Sequence, residues 1–383
     1  MSSDTVAQWL AKIFLLTLLS YFIYFLTHRT WDYRADTSHG INSCVLAPSP
    51  PRTDTALQFL WHQDGSDRQT MHPSVYFVTE RESLHGINPG FGSHRNLAHK
   101  PAFGVAEVEL PPTSDPRIVD TSKSPPIKIS LDDREKWLQE VARRSRFSLR
   151  GDSRLTIYIH GFNNGYREEI WRATKLSMEA DLGTLVVFDW PSANEALGYQ
   201  SDRKSIEYSS ILLANLISDL ASNLGATRLN IITHSMGGYG ITGALSILAD
   251  EGRLPQIENL ILAAPDVDTP FFDRHVGKVV AQGKVRFLTV YASEADSALE
   301  LSHRHNNDYA PLGLLPNFSQ IKGVRTVDAT RVAKGVIGHD YFVSSPEVEH
   351  DISNVIGKHG PFESALPTLG KGPVVYPRLE CSF

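Results

Sequence analysis

Cysteine is nearly absent from this chain: Cys44 and Cys381 are the two in 383 residues. Two thiols leave room for one bridge between the chain ends or for two free cysteines, but not for a disulfide framework or a zinc cluster. An excess of basic charge is absent as well. There are 37 Lys and Arg against 43 Asp and Glu, a net charge of −6, which gives no electrostatic footprint for nucleic acid. Arg143, Arg144 and Arg146 read as the basic end of a helix rather than as a nucleic-acid patch. No internal repeat is visible, which argues against a solenoid or propeller. What is there, 41% hydrophobic and 21% charged residues, suits a folded chain with a sizeable core, long enough for one large domain or two ordinary ones.

The N-terminus breaks this pattern. From Trp9 to Thr27 the one charge is Lys12, and Ile13 to Leu26 is apolar except for Thr17 and Ser20. A bilayer takes about 20 such residues and a signal h-region about 10–14, so the segment lies between the two. Trp9, Tyr21, Tyr24, Trp31 and Tyr33 stand at or near its ends, as interfacial aromatics do. His28, Arg29 and Thr30 follow it directly and form no small-x-small cleavage site. Residues 1–35 therefore read as an uncleaved membrane anchor, with a cleaved signal peptide as the alternative. Flanking charges are too even to set the orientation. The expectation is a single anchor with the domain on the extracytoplasmic, periplasmic side.

Residues 36–73, with Pro48, Pro50 and Pro51 among Ser, Thr and Asp, read as a linker. Ser74–Thr79 and Phe103–Leu110 read as strands, Pro111–Pro126 as a connection, and Leu131–Arg146 as a helix. From residue 154 short apolar strands alternate with helices. The strands are Leu155–Ile159, Leu185–Phe188, Leu229–Thr233, Leu260–Ala263, Val285–Tyr291 and a short Arg325–Val327. That alternation predicts an α/β fold, with a mostly parallel sheet covered by helices on both faces. The domain is expected over 74–358, with a Pro- and Gly-rich tail at 359–383.

In such sheets ligands bind beyond the carboxyl ends of the strands. Residues 231–238, Ile-Ile-Thr-His-Ser-Met-Gly-Gly, bring Ser235 onto a turn between a strand and a helix, the layout of a nucleophile elbow. Asp296 and His339 follow later strands, giving the chain order Ser, Asp, His. In that arrangement Ser235 attacks a carbonyl, His339 moves the proton, and Asp296 orients the imidazole. Backbone N–H groups of Met236 and Phe162 would form the oxyanion site. His160, Gly161 and Gly237 would be structural supports beside it. Asp266 and Asp268 are alternative acids, and His303, His305, His350 and His359 alternative histidines. A metal site around His303, His305 and Asp308 lacks ligand spacing, so no metal is expected, and acyl transfer through a serine implies no organic cofactor. Thr233 stands where a glycine is usual in Gly-x-Ser-x-Gly and needs both space and a hydrogen bond. Ala310–Phe318 reads as an apolar lid or a packed surface loop.

Together these motifs are similar to a family of bacterial esterase/lipase-like α/β-hydrolases formerly catalogued as a domain of unknown function. The resemblance runs over roughly residues 72–345. It is carried by Val75 to Arg81, Phe103-Gly104-Val105, Ile159 to Asn164, Phe188 to Ser192, Gly198-Tyr199, Asp202-Arg203, Ser205, Thr233 to Gly237, Ala263 to Asp268 and Gly338 to Phe342. It implies an α/β-hydrolase fold and a triad on Ser235, Asp296 and His339. The expected activity is hydrolysis of a small-molecule or lipid ester through an acyl-enzyme. The competing readings are an idle hydrolase fold serving as a binding or envelope-scaffold module, and an amidase or peptidase.

Overall fold

The computed structural model describes residues 61–62, 70–71, 73–84, 90–98, 100–109, 127–146, 153–225, 227–306, 309–333 and 337–357. The expected anchor, most of the expected linker, the 359–383 tail and both cysteines lie outside these residues. Among the described residues no helix is long and apolar enough to cross a membrane.

Within the segment read as a linker, β1 (Trp61–His62) pairs antiparallel with β2 (Thr70–Met71). β3 (Ser74–Thr79) enters the main sheet, and β4 (Arg81–Leu84) and β5 (Gly90–Arg95) form a separate two-stranded ribbon. β6 (Ala102–Val108) and β7 (Ile127–Asp132) follow, then α1 (Arg134–Arg146). The regular alternation is β8 (Arg154–Ile159), α2 (Tyr166–Glu179), β9 (Thr184–Asp189), α3 (Tyr199–Leu224), β10 (Arg228–His234) and α4 (Gly237–Asp250). It continues through β11 (Ile257–Ala263), α5 (Thr269–Ala281), β12 (Val285–Ala292), α6 (Ser297–Asn306) and β13 (Val324–Asp328). Two short helices, α7 (Tyr341–Ser344) and α8 (Pro346–Gly357), follow.

The main sheet has nine strands in the order β13-β12-β11-β10-β8-β9-β3-β6-β7. β6 alone runs against the others. Both faces are covered, which explains why β8 is buried at every position. Alternate residues feed two cores, as the two-residue strand period requires. Ile157, Ile159, Ile231, Leu260 and Leu262 pack with α1, α3, α4 and α5. Tyr158, Ile232, Ile261 and Ala263 pack with α2, α6, α7 and α8.

Strand order decides where a ligand can bind. The chain steps from β8 to β9 in one direction and from β10 to β11 in the other. The reversal opens a crevice between the carboxyl ends of β8 and β10, the topological switch point of an open α/β sheet. The turns after these two strands carry Gly161 and Ser235.

One boundary differs from the sequence reading. Leu131 belongs to β7 and is 58% exposed, while the helix begins at Arg134 and buries Trp137, Leu138 and Val141. Residues 127–132 pair with β6 along their whole length, and that edge pairing outweighs the local helical pattern.

Candidate active site

β10 carries Ser235 to the carboxyl edge of the sheet, where its φ is 52°. An L-residue with a side chain rarely holds that left-handed conformation, which costs about 1–3 kcal/mol and persists only where its surroundings impose it. Here they do. The Ser235 N–H donates to the Ala263 carbonyl at 3.0 Å, and the Ser235 carbonyl accepts from Gly238 at 2.9 Å and Asp266 at 3.0 Å.

Two glycines let the crevice walls meet. A Cβ on Gly161 would lie 2.8 Å from the Ser235 Cβ, and one on Gly237 would lie 2.7 Å from the carbonyl oxygens of His160 and Ile159. Neither position has room for a side chain. Thr233 finds space but not the expected hydrogen bond: it is fully buried, and its Oγ1 has no partner among the described residues.

His339 lies beyond β13, and its Nδ1 meets Asp296 Oδ2 at 2.7 Å. Asp296 is buried and does two things at once. Its other oxygen, Oδ1, accepts from the Leu299 N–H at 3.0 Å and so caps α6. Burial pulls the His339 imidazole down, but the charge and hydrogen bond of Asp296, with Asp340 and Asp266 farther off, raise it above the usual histidine value. Asp266 is otherwise engaged. It accepts from the Tyr199 hydroxyl at 2.9 Å and from Ser302 Oγ at 3.0 Å, and burial pushes its carboxyl up. Of the acids weighed from sequence, Asp296 is therefore the one hydrogen-bonded to His339. His303 and His305 sit on α6 and His350 on α8, while His359 lies outside the described residues.

His234, next to the nucleophile, ties the two halves of the site together. Its ring lies 4.7 Å from the His339 ring and stacks on Phe342 at 4.4 Å, and its Nε2 faces the His339 carbonyl at 3.4 Å. Burial, then the nearby His339, push His234 well below the usual histidine value. Asp340 pairs with Arg172 of α2 at 2.5 Å; despite partial burial, Arg172 and the two histidines bring its carboxyl down to about 2. Lys175 of α2 adds a bond to the Val343 carbonyl at 2.6 Å, so the histidine loop is pinned to the helix that follows the Gly161 turn.

The turn at 160–165 is fixed from beneath. His160 is buried and stacks on Trp190 with centroids 4.9 Å apart. Its Nε2 faces the Trp190 carbonyl at 3.1 Å, while Trp190 Nε1 donates to the His160 carbonyl at 2.9 Å. Asp202 of α3 accepts from the Asn163 N–H at 3.4 Å and the Ala193 N–H at 2.8 Å. Phe162 rests edge-on against Tyr199 at 5.5 Å. Met236 directly precedes α4, so its N–H lies at the positive end of that helix.

Sequence reasoning missed the roles of Arg81 and Asp189. They form a fully buried pair at 2.9 Å, and Thr79 Oγ1 also donates to Asp189 at 2.6 Å. Burial pushes the Asp189 carboxyl up, but Arg81, His160 and Thr79 together hold it below its usual range. The signal was present in the charged residues that close two apolar strand runs, Thr79-Glu80-Arg81 and Phe188-Asp189.

The 310–318 stretch is a packed strap. Leu312 donates to the Val267 carbonyl at 2.9 Å, Gly313 to Pro265 at 3.0 Å, and Ser293 to Gly313 at 3.0 Å. It joins the loops that carry Asp266 and Asp296. Among the described residues no three His, Cys, Asp or Glu side chains gather in a way that would hold a metal.

Residues 133–359 match the family described as "Alpha/beta hydrolase of unknown function (DUF900)". A curated relative, the uncharacterized protein alr1448 of Nostoc sp., is 36% identical over 75 residues, covering 20% of this chain and 20% of that protein. Among solved structures, lipase B of Aspergillus fumigatus covers 54% of this chain and 53% of its own, at 14% identity and a TM-score of 0.36. A hyperthermophilic esterase from the archaeon Pyrobaculum calidifontis covers 73% of this chain and 84% of its own, at 12% identity and a TM-score of 0.33.

Proposed function

We propose, from the premise that this chain belongs to the alpha/beta hydrolase family of unknown function (DUF900), that it is a serine hydrolase cleaving carboxylic esters. The observation that carries the reading is the hydrogen bond from His339 to the buried Asp296, at the same sheet edge as a serine held at positive φ. Strain of this kind persists where surrounding structure over-determines it, as happens at catalytic turns.

In the proposed reaction Ser235 Oγ attacks the ester carbonyl carbon while His339 Nε2, the ring nitrogen not bonded to Asp296, takes its proton. The carbonyl oxygen becomes an oxyanion facing the N–H groups of Met236 and Phe162, donors worth about 10²–10³ in rate each. The tetrahedral adduct collapses, the C–O bond to the alcohol breaks, and His339 returns the proton to the leaving oxygen. Water then attacks the acyl-enzyme by the same route and releases the acid. No step calls for a metal or organic cofactor. If residues 1–35 anchor the chain as the sequence suggests, amphiphilic esters at the membrane are the nearest substrates.

The test is covalent labelling. A fluorophosphonate probe is expected to modify Ser235, as located by mass spectrometry, and Ser235→Ala or His339→Ala to abolish the adduct without unfolding the protein. Absence of labelling on folded protein overturns the reading. Matched p-nitrophenyl esters and anilides then separate esterase from amidase.

A further inference from the structure

Arg81 lies outside the segment that matches the family, in the ribbon strand β4, far in sequence from Ser235. It is nonetheless among the largest fully buried side chains. Burying a guanidinium is costly unless its donors are met, and here they are met by groups around a single feature. Nε donates to both oxygens of Asp189, at 3.0 and 2.9 Å. Nη2 donates to the Asn164 carbonyl at 2.8 Å, and Nη1 to the carbonyls of Ser192 at 2.8 Å and Gly92 at 3.2 Å.

Each of the first three partners bears on the turn that follows β8. Asn164 is in that turn. Ser192 Oγ accepts from the Asn164 N–H at 3.1 Å. Asp189 lies 3.3 Å from His160 Nε2, and His160 opens the turn. The planar fork thus holds the turn at both ends, directly at the Asn164 carbonyl and through Asp189 at the His160 side chain. Lysine carries its three donors on one nitrogen, so it cannot set them against Asp189 and both carbonyls at the spacing of the guanidinium nitrogens.

We infer that Arg81 is a positioning residue for the oxyanion site: it fixes the 160–164 turn so that the Phe162 N–H faces the carbonyl oxygen of a substrate on Ser235. The inference rests on the serine-hydrolase reading. It extends the site to the N-terminal strands, so that residues outside the matched segment are part of the working enzyme. Arg81 touches no reacting atom. Its effect is geometric, and misplacing a catalytic donor by about 1 Å costs on the order of 10²-fold in rate.

The experiment uses the full chain as wild type, Arg81→Lys and Asp189→Asn. The lysine keeps the buried charge beside Asp189, and the asparagine keeps the shape of the carboxyl. Active sites are counted by fluorophosphonate titration, and kcat and KM are measured on p-nitrophenyl butyrate. The Ki of an aryl trifluoromethyl ketone, which forms an oxyanion on the serine, is measured alongside. The expected result is a fall in kcat per titrated site of about 10–100-fold, a KM within about 3-fold, and a Ki weakened in step with kcat. A general packing defect would lower the number of titrated sites and leave kcat per site alone. Wild-type kcat and Ki per site in both variants overturn the role of Arg81 while leaving the hydrolase reading standing. A wild type that neither labels nor turns over ester overturns the hydrolase reading, and this inference with it.

Discussion

His339 and Asp296 stand 43 positions apart in the chain, yet Nδ1 of one lies 2.7 Å from Oδ2 of the other. The pair fixes the imidazole tautomer, because the shared proton sits on Nδ1 and leaves Nε2 as the acceptor. Asp296→Asn keeps the shape and removes the charge. Turnover of p-nitrophenyl ester is expected to fall by about 10³–10⁴-fold, with Ser235 labelling slowed in parallel.

The raised His339 value sets the direction of the pH profile. Only the neutral imidazole can take the proton from Ser235, so activity is lost as pH falls through the His339 pKa. In the wild type the acid limb of kcat/KM is expected above the ordinary value of about 6.5. In Asp296→Asn the limb should move to lower pH, since the partner that favours the imidazolium is gone. A limb that stays in place would remove Asp296 from this role.

Asp266 provides the contrast. It is buried near His339 but accepts from Tyr199 and Ser302 instead. Asp266→Asn should leave kcat within about 10-fold of wild type, since an asparagine oxygen can still accept from those hydroxyls. A loss as large as that of Asp296→Asn, measured on the same ester, would exchange the two roles.

Gly161→Ala tests the closeness of the two turns. The added methyl would sit 2.8 Å from the Ser235 Cβ, closer than carbon atoms approach. The turn must move, and kcat is expected to fall by at least about 10²-fold, since a 1 Å shift of a catalytic group is enough for that. Circular dichroism should show the same secondary structure as the wild type.

Thr233 carries a buried hydroxyl without a partner among the described residues, and an unmet group of this kind costs about 1–3 kcal/mol. Thr233→Val keeps the shape and removes the hydroxyl. Urea unfolding should show a gain of about 1 kcal/mol with the slope unchanged. A loss of stability would mean that the hydroxyl is engaged after all.

The sequence alone determined the alternation of strand and helix, the turn that carries Ser235, and the positions of Asp296 and His339 at later strand ends. These are local properties. An apolar run of five or six residues, a Gly-rich turn and an amphipathic helix declare themselves within a short window, because each follows from side-chain period and backbone sterics. Tertiary structure decided the rest. Which acid meets His339 depended on where the Tyr199 and Ser302 hydroxyls fall, and they occupy Asp266. Whether 131 starts a helix or ends a strand depended on β6 lying alongside. Arg81 reads as one more charged residue until Asp189, Ser192 and Asn164 are brought around it from 83 to 111 positions away. Hydrogen bonds between distant residues leave no periodic trace in the chain, so the sheet order that assembles them had to be seen in three dimensions.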